Sequence, residues 1–262
     1  MKLSIITINY NNLEGLRRTY DSVVSQTCQD FEWIIIDGGS TDGSKDFIEE
    51  HQTQFAYWCS EPDKGIYNAM NKGIAKATGE YLQFLNSGDN LVDSKVIEEF
   101  LVLDWNEAVI SGDIMIDGDN MKIWRNPEDK FLDFDYMYRS SIYHPSSYIK
   151  KELFEKYGLY DENLRIVSDW KFFLESLIIR GCSYRHWDRI VTNFVYDGIS
   201  SKPENQQFHW NERLKVLQNY ERFLRSIRKR DQRIQELDLP LMLILKHKLL
   251  AKLRRVFPKK VN

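Results

Sequence analysis

The sequence predicts an α/β fold, a mostly parallel central sheet flanked by helices, with a helical carboxyl-terminal extension. Three observations predict it. Short apolar runs alternate with helix-length segments through the first half of the chain. The runs are continuously apolar rather than alternating, as strands buried on both faces require. Three of them stop at polar or Gly-containing clusters: Asn9-Tyr10-Asn11, Asp37-Gly38-Gly39-Ser40 and Asn86-Ser87-Gly88-Asp89.

Leu3 to Ile8 is the first β-rich run. Leu13, Leu16, Tyr20, Val23 and Val24 then recur at helical spacing, which predicts a helix from Leu13 to Val24. Phe31 to Ile36 is the second strand, and Thr41 or Asp42 is placed to cap a helix reaching about Gln54. Phe55 to Cys59 reads as a short strand, Ile66 to Ala77 as a helix stopped by Thr78-Gly79, and Tyr81 to Leu85 as a fourth strand. The second half is less regular. Ala108 to Ile116 and Met121 to Trp124 suggest paired strands turned at Asp117-Gly118-Asp119-Asn120. Lys151 to Tyr157 and Ser168 to Ile179 read as helices, and Ser183 to Tyr196 as strand and loop. After about Asn205 the pattern is helical, with Pro240 as a break, so the domains are drawn as 1–204 and 205–262.

The formal charge of −3 is unevenly spread. Seven Lys or Arg and no acid follow Pro240, so 29 bases and 39 acids precede it. So acidic a body points away from nucleic acid, and a basic tail points to an anionic surface. Cys28, Cys59 and Cys182 form no CxxC pair, which fits a reducing cytoplasm better than a disulfide framework or a structural zinc site. The first residues enter a strand directly, without the apolar stretch and cleavage site of a signal peptide, and no run is long enough to span a membrane.

In a parallel sheet, ligands bind at the carboxyl ends of the strands, so the three polar clusters should converge. They carry neither the GxGxxG of a dinucleotide site nor the GxxxxGK[ST] of a P-loop. They offer instead a tyrosine able to stack on a base (Tyr10), a carboxylate able to accept from a base or ribose (Asp37), and a second carboxylate beside small residues (Asp89). Mg²⁺ and Mn²⁺ prefer oxygen ligands and share them with phosphates, which makes Asp89 the candidate metal ligand. Each residue alone also reads as a turn, cap or packing residue. The functional reading rests on their common edge.

Four segments carry a more specific signal: SIITINYNN at 4–12, EWIIIDGGSTDGS at 32–44, SEPDKGIYNAMNKGIAKATGEYLQFLNSGDN at 60–90, and SDWKFFLE at 168–175. In order and spacing they resemble the family 2 glycosyltransferases, whose GT-A fold has a Rossmann-like sheet. The resemblance covers roughly residues 1 to 200. DKGIYNAMNKGI, from Asp63 to Ile74, is most similar to the branch that builds bacterial surface polysaccharides, the colanic-acid-type enzymes.

The resemblance implies an inverting transfer from a nucleotide sugar, a UDP-hexose or UDP-N-acetylhexosamine, to a hydroxyl of a glycan or polyprenyl-diphosphate-linked acceptor. Tyr10 would stack on uracil and Asp37 would bind its ring N–H. Asp63 and Lys64 would lie against the nucleotide sugar, in a site with Thr7, Asn11 and Ser87. Asn86 to Asp89 would stand at the DxD position, with Asp89 binding Mn²⁺ or Mg²⁺. Asn86 and Gly88 replace the further acids that members often carry there, so metal should enter mainly with the nucleotide. The general base would be Asp169, which could also cap its helix. Asp113, His144 and Trp170 are candidates for the acceptor side, and Asp197 to Ser201 for a loop over the diphosphate.

The segment Leu241 to Phe257 places Leu241, Leu245, Leu249, Leu253 and Val256 on one helical face, with Lys248, Arg254 and Arg255 largely opposite. Such a helix suits peripheral contact with the inner face of the plasma membrane or packing on the protein body, and Arg222 to Arg233 would extend the basic patch. Two rival functions remain. A nucleotidyltransferase would carry a Gly-rich basic loop where Asn9-Tyr10-Asn11-Asn12 stands, and a non-catalytic nucleotide-sugar-binding module would have no need of Asp89 or Asp169.

Overall fold

A computed structural model of the chain describes residues 2–116, 122–194, 203–221, 225 and 229. The first strand, β1 (Leu3–Asn9), is buried along its whole length. Helix α1 (Leu13–Val24) follows, capped by the Asn12 side chain, which accepts from the Gly15 N–H at 3.1 Å. Then come β2 (Glu32–Asp37), α2 (Ser44–Glu50), β3 (Tyr57–Ser60), α3 (Ile66–Lys76) and β4 (Tyr81–Phe84). The cap of α2 is Gly43 rather than Thr41 or Asp42, although Asp42 Oδ1 still accepts from the Ser44 N–H. That helix stops at Glu50, and a 3-10 turn at Gln52–Gln54 completes the predicted span.

These four strands pair in parallel in the order β3-β2-β1-β4. Their faces explain the continuous apolar runs. Leu3, Ile5, Trp33 and Ile35 pack with Leu16 and Val23 of α1 and Phe47 and Ile48 of α2. On the other face, α3 approaches so closely that a Cβ on Gly73 would run into Ile6. Register brings Asn9 beside Asp37, and Asp37 beside Ser60. Three strand ends therefore lie side by side, and Ser87 N donates to Ile8 O, which holds the loop after β4 against the same edge.

The second half continues the sheet in mixed orientation. Its elements are β5 (Asn90–Leu91), α4 (Val96–Val102), β6 (Val109–Ile116), β7 (Lys122–Trp124), α5 (Phe134–Arg139), β8 (Ser147–Lys150), α6 (Lys151–Tyr157), α7 (Ser168–Phe173) and β9 (Tyr184–Phe194). From Leu174 to Ile179, α7 widens into a π-helical segment. β8 joins β4 antiparallel, β6 joins β8 antiparallel, and β9 runs parallel to β6. β6 and β7 pair antiparallel as predicted, while the turn expected at Asp117–Asn120 lies outside the described residues. The parallel half thus follows the sequence pattern, and β8 is the element that converts it into a mixed sheet. With four residues flanked by a 3-10 turn and a helix, β8 offers too short a run to reveal a period.

The chain divides into two compact units, Met1–Arg213 and Leu214–Asn262. Helix α8 spans Gln206–Leu217, followed by a 3-10 turn at Gln218–Tyr220. Pro240, the segment Arg222 to Arg233 apart from residues 225 and 229, and the basic segment from Leu241 to Phe257 lie outside the described residues. Among the described residues no helix is long and apolar enough to cross a membrane, and all three cysteines are free.

Candidate functional site

The edge formed by β1, β2 and β3 is organised around Asp37, which is 0% exposed. Its Oδ1 accepts from Asn9 Nδ2 (2.7 Å) and Ser40 Oγ (2.5 Å). Its Oδ2 accepts from Ser60 Oγ (2.6 Å), Ser40 N (2.9 Å) and Gly39 N (3.2 Å). Burial pushes the carboxyl pKa up, but the hydrogen bonds from Ser40, Ser60 and Asn9 outweigh it and hold the pKa below the ordinary value. Asp37 is therefore a buckle that ties three loop starts together. Asn11 extends the buckle: its N–H donates to Ser40 Oγ and its Oδ1 accepts from Thr41 N, with a left-handed φ of 47°. Thr7 is not brought to this surface, because its buried hydroxyl accepts from the Trp33 indole inside the sheet.

Over this buckle lie Tyr10 and Asp63. Tyr10 is 66% exposed, a ring offered to solvent rather than to the core. A Cβ on Gly38 would stand 2.6 Å from Asp63 Oδ2 and 3.1 Å from Tyr10 Cδ2, so glycine there lets carboxylate and ring close in together. Asp63 Oδ1 accepts from Gly65 N at 2.8 Å. Lys64 is exposed at the entry to α3, its N–H donating to Asn68 Oδ1.

The loop after β4 is braced by Thr19 of α1, whose hydroxyl donates to Asp89 O (2.7 Å) and accepts from Gly88 N (3.0 Å). Gly88 has φ 111°, a conformation that disfavours any residue with a side chain. Asn86 Oδ1 and Ser87 Oγ are buried without a hydrogen-bond partner, an uncommon state for buried polar atoms. These two and the Asp89 carboxylate are oxygen donors, the chemistry that Mg²⁺ and Mn²⁺ prefer, and of the three residues Asn86 and Asp89 face one cavity. Among the described residues no three His, Cys, Asp or Glu side chains gather to hold a metal, so this loop alone would coordinate one incompletely.

Asn86 and Asp89 line a cavity of about 310 Å³, whose wall also carries Tyr67, His144, Asp169 and Trp170. Asp169 is half-buried in the first turn of α7. It does not act as a cap: the N-cap position is Val167, with no side-chain bond, and the Ser168 hydroxyl accepts from Asp161 N instead. Asp169 Oδ1 accepts from the Tyr67 hydroxyl at 2.8 Å. Burial and the adjacent Asp169 charge push the Tyr67 pKa far above the ordinary phenol value, so it stays a donor. His144 is buried, shares a 2.8 Å hydrogen bond with the Tyr160 hydroxyl, and is held neutral mainly by burial. Trp170 is buried, its indole N–H donating to Met137 O.

Asp113 is the acceptor-side candidate that the structure places elsewhere. It does not line the cavity. Its buried carboxylate accepts from Asn126 N and His186 Nε2 and pairs with Arg125, a cluster that knits β6 to β9. The sequence put an acid at a strand and could not show which face it takes. The Asp197–Ser201 loop lies outside the described residues.

The model of the Glycosyl transferase family 2 matches residues 4–160, well over half of the chain. The chain is a family 2 glycosyltransferase. An uncharacterised glycosyltransferase of Mycobacterium tuberculosis is 32% identical over 216 residues, covering 77% of this chain and 78% of the relative. A PGL/p-HBAD biosynthesis glycosyltransferase of Mycobacterium bovis is 27% identical over 212 residues, covering 78% and 81%. Among solved structures, S. aureus TarS 1-349 in complex with UDP-GlcNAc superposes with a TM-score of 0.62 at 16% identity. The match covers 76% of this chain and 59% of that one, so the glycosyltransferase spans about three fifths of the solved TarS chain. The mannosyltransferase PcManGT from Pyrobaculum calidifontis, in complex with GDP-Man and Mn²⁺, gives a TM-score of 0.59 at 14% identity. The GT-A fold is thus common to all three.

Sequence reasoning about this glycosyltransferase missed Tyr67, although it lies within DKGIYNAMNKGI, because no spacing rule links it to an acid 102 residues away. It also missed His209 and Arg213 of α8, which line the same cavity but lie beyond every quoted motif.

Proposed function

We propose that this glycosyltransferase transfers a sugar, with inversion, from a UDP-hexose or UDP-N-acetylhexosamine to a hydroxyl of a glycan or lipid-linked glycan in bacterial surface polysaccharide synthesis. The observation that carries the reading is one cavity whose wall holds both Asp169 and the Asn86–Asp89 loop. A single-displacement transferase needs both: a base for the acceptor and charge stabilisation for the leaving diphosphate. TarS with UDP-GlcNAc and PcManGT with GDP-Man supply the precedent of nucleotide sugars on this fold.

In this reading Tyr10 stacks on the base and Asp63 Oδ2 accepts its ring N–H. Asp37, with five hydrogen bonds already made, holds the loops in place rather than taking the ring N–H itself. Lys64 extends its ammonium toward the donor phosphates. Tyr67 orients Asp169 through its hydroxyl. Asp169 accepts the acceptor O–H proton as that oxygen bonds to the anomeric carbon, and the bond to the diphosphate breaks with its electron pair on the diphosphate oxygen. Mn²⁺ or Mg²⁺, held by Asp89 with Asn86, Ser87 and the diphosphate oxygens, would supply countercharge for that leaving group. The basic segment from Leu241 to Phe257 suits an anionic membrane surface, where a polyprenyl-diphosphate-linked acceptor would be presented.

The test compares wild type, Asp169→Asn and Asp89→Ala with UDP- and GDP-sugars plus Mn²⁺, following nucleoside diphosphate release and UDP binding. Asp169→Asn should lose turnover and keep UDP binding, whereas Asp89→Ala should lose metal-dependent UDP binding. Equal turnover in wild type and Asp169→Asn refutes the base assignment.

A further inference from the structure

Arg213 of α8 is only 6% exposed, yet it lines the catalytic cavity. Its guanidinium lies 4.7 Å above the Trp170 ring. Its Nε is buried with no hydrogen-bond partner. Among the described residues it has neither an ion pair nor a hydrogen bond to its guanidinium, unlike the buried carboxylates Glu32, Asp113 and Glu212. Glu32 is held by Ser4, Thr78 and Gly79, Asp113 by His186 and Arg125, and Glu212 by the N–H groups of Arg165 and Ile166. A buried cation without a counter-ion is costly and rare. Burial pushes its pKa down to about 10 and the field of Asp169 pulls it back, so it remains charged at neutral pH.

We propose that Arg213 is an anion subsite for the acceptor, receiving a carboxylate or phosphate that the acceptor carries close to its reacting hydroxyl. This rests on Asp169 being the general base: the group poised beside the base is the acceptor, and Asp169 is the acid whose charge acts on Arg213. A guanidinium presents a planar fork of N–H donors that matches the two oxygens of a carboxylate or phosphate. The cation–π contact with Trp170 holds the guanidinium in place, and Trp170 is the next residue after Asp169. His209, one turn earlier on α8, lines the same wall. Burial and the neighbouring Arg213 charge lower its pKa, so it adds a neutral ring with one N–H donor. Arg165, exposed on the cavity wall, adds a second guanidinium. The geometry thus selects an acidic acceptor over a neutral one.

The test uses the full chain saturated with UDP and Mn²⁺ and titrated with methyl glucoside, methyl glucuronide and methyl glucoside 6-phosphate, read by calorimetry. Wild type should bind one of the two anionic glycosides about ten-fold more tightly than the neutral one, and which of them wins tells carboxylate from phosphate. Arg213→Met should abolish that preference, Arg213→Lys should keep part of it, and neither should change UDP affinity. Equal binding of all three glycosides by wild type overturns the proposal, and this arm needs no variant to fold. So does a preference that survives in Arg213→Met, or a loss of UDP affinity there, since the guanidinium would then serve the donor diphosphate. Asp169→Asn tests the underlying reading separately. If the base assignment fails, this variant keeps its turnover; if only the anion subsite fails, it still loses turnover.

Discussion

Gly38→Ala tests the proposed donor-base contact separately from the fold. Gly38 does not have a positive φ, so its backbone accepts alanine. The new Cβ would fall 2.6 Å from Asp63 Oδ2, 3.3 Å from Asp63 Cγ and 3.1 Å from Tyr10 Cδ2. The Asp63 carboxylate must retreat by roughly half an ångström or more to reach ordinary contact. It is tethered through Oδ1 to Gly65 N at 2.8 Å, so the retreat strains that bond or turns Oδ2 away from the Tyr10 ring. A hydrogen bond to a charged acceptor is worth about 1.5–3 kcal/mol, so losing it from the complex weakens UDP binding about 10- to 100-fold. Stability should change by less than about 1 kcal/mol, because the displaced groups lie at the surface and Gly→Ala restricts the unfolded chain. Calorimetric titration with UDP and Mn²⁺ measures the first effect and urea unfolding the second. A UDP dissociation constant within about two-fold of wild type, in a protein that folds normally, refutes the pairing of Tyr10 and Asp63 as the base site.

Three further outcomes follow from the same structure. Tyr67→Phe removes the hydroxyl that orients Asp169, so kcat should fall about ten-fold or more while UDP affinity holds; unchanged kcat in steady-state assays would show that the cavity orients Asp169 without it. Asp37 and Glu32 both have folded-state pKa values below their ordinary ones, through hydrogen bonds that outweigh burial. A carboxyl depressed in the folded state stabilises fully above its unfolded pKa of about 4, and that stability is lost as pH falls through the folded value. The urea midpoint should therefore drop between about pH 5 and pH 3, less steeply in Asp37→Asn, and a flat profile would contradict the assignment. Asp113→Ala should cost about 1–3 kcal/mol of stability by leaving the Asn126 N–H and His186 Nε2 without their acceptor, while leaving KM for both substrates near wild type, and a large rise in acceptor KM would return Asp113 to the acceptor side.

The parallel half of this molecule was legible in the sequence for a physical reason. A parallel strand buried on both faces must be continuously apolar, so Leu3–Ile8, Phe31–Ile36 and Tyr81–Leu85 announced themselves. The loops at their carboxyl ends are then forced to one edge, and the in-register row of Asn9, Asp37 and Ser60 is the result. What the sequence could not tell was which carboxylate at that edge faces outward. Asp37 and Asp63 look alike as letters. Five donors converge on the first, whereas the second has one oxygen tied to Gly65 N and the other close to Tyr10. Burial and hydrogen-bond saturation are tertiary properties, and no local pattern encodes them.

The cavity wall was legible only in part: the resemblance pointed to His144, Asp169 and Trp170, and nothing in the sequence pointed to Tyr67, His209 or Arg213. The wall is assembled from four separate elements: Tyr67 from α3, His144 from a 3-10 turn, Asp169 and Trp170 from α7, His209 and Arg213 from α8. No spacing rule links the residues of one element to those of another, so Tyr67, His209 and Arg213 read as ordinary helix positions until the fold brings them together. The contacts also show why the wall holds its shape. Glu212 accepts the N–H groups of Arg165 and Ile166, which pins α8 to the segment entering α7, and the adjacent Arg213 is thereby carried over Trp170. Removing that clamp with Glu212→Ala would leave the buried Ile166 N–H and the half-buried Arg165 N–H unpaired and release Arg213 from its ring. It should therefore weaken the preference for an anionic acceptor and lower stability together, whereas Arg213→Lys should touch the preference far more than the stability. A Glu212→Ala protein that loses stability but keeps the full anionic preference would show that Trp170 alone is enough to hold the guanidinium in place.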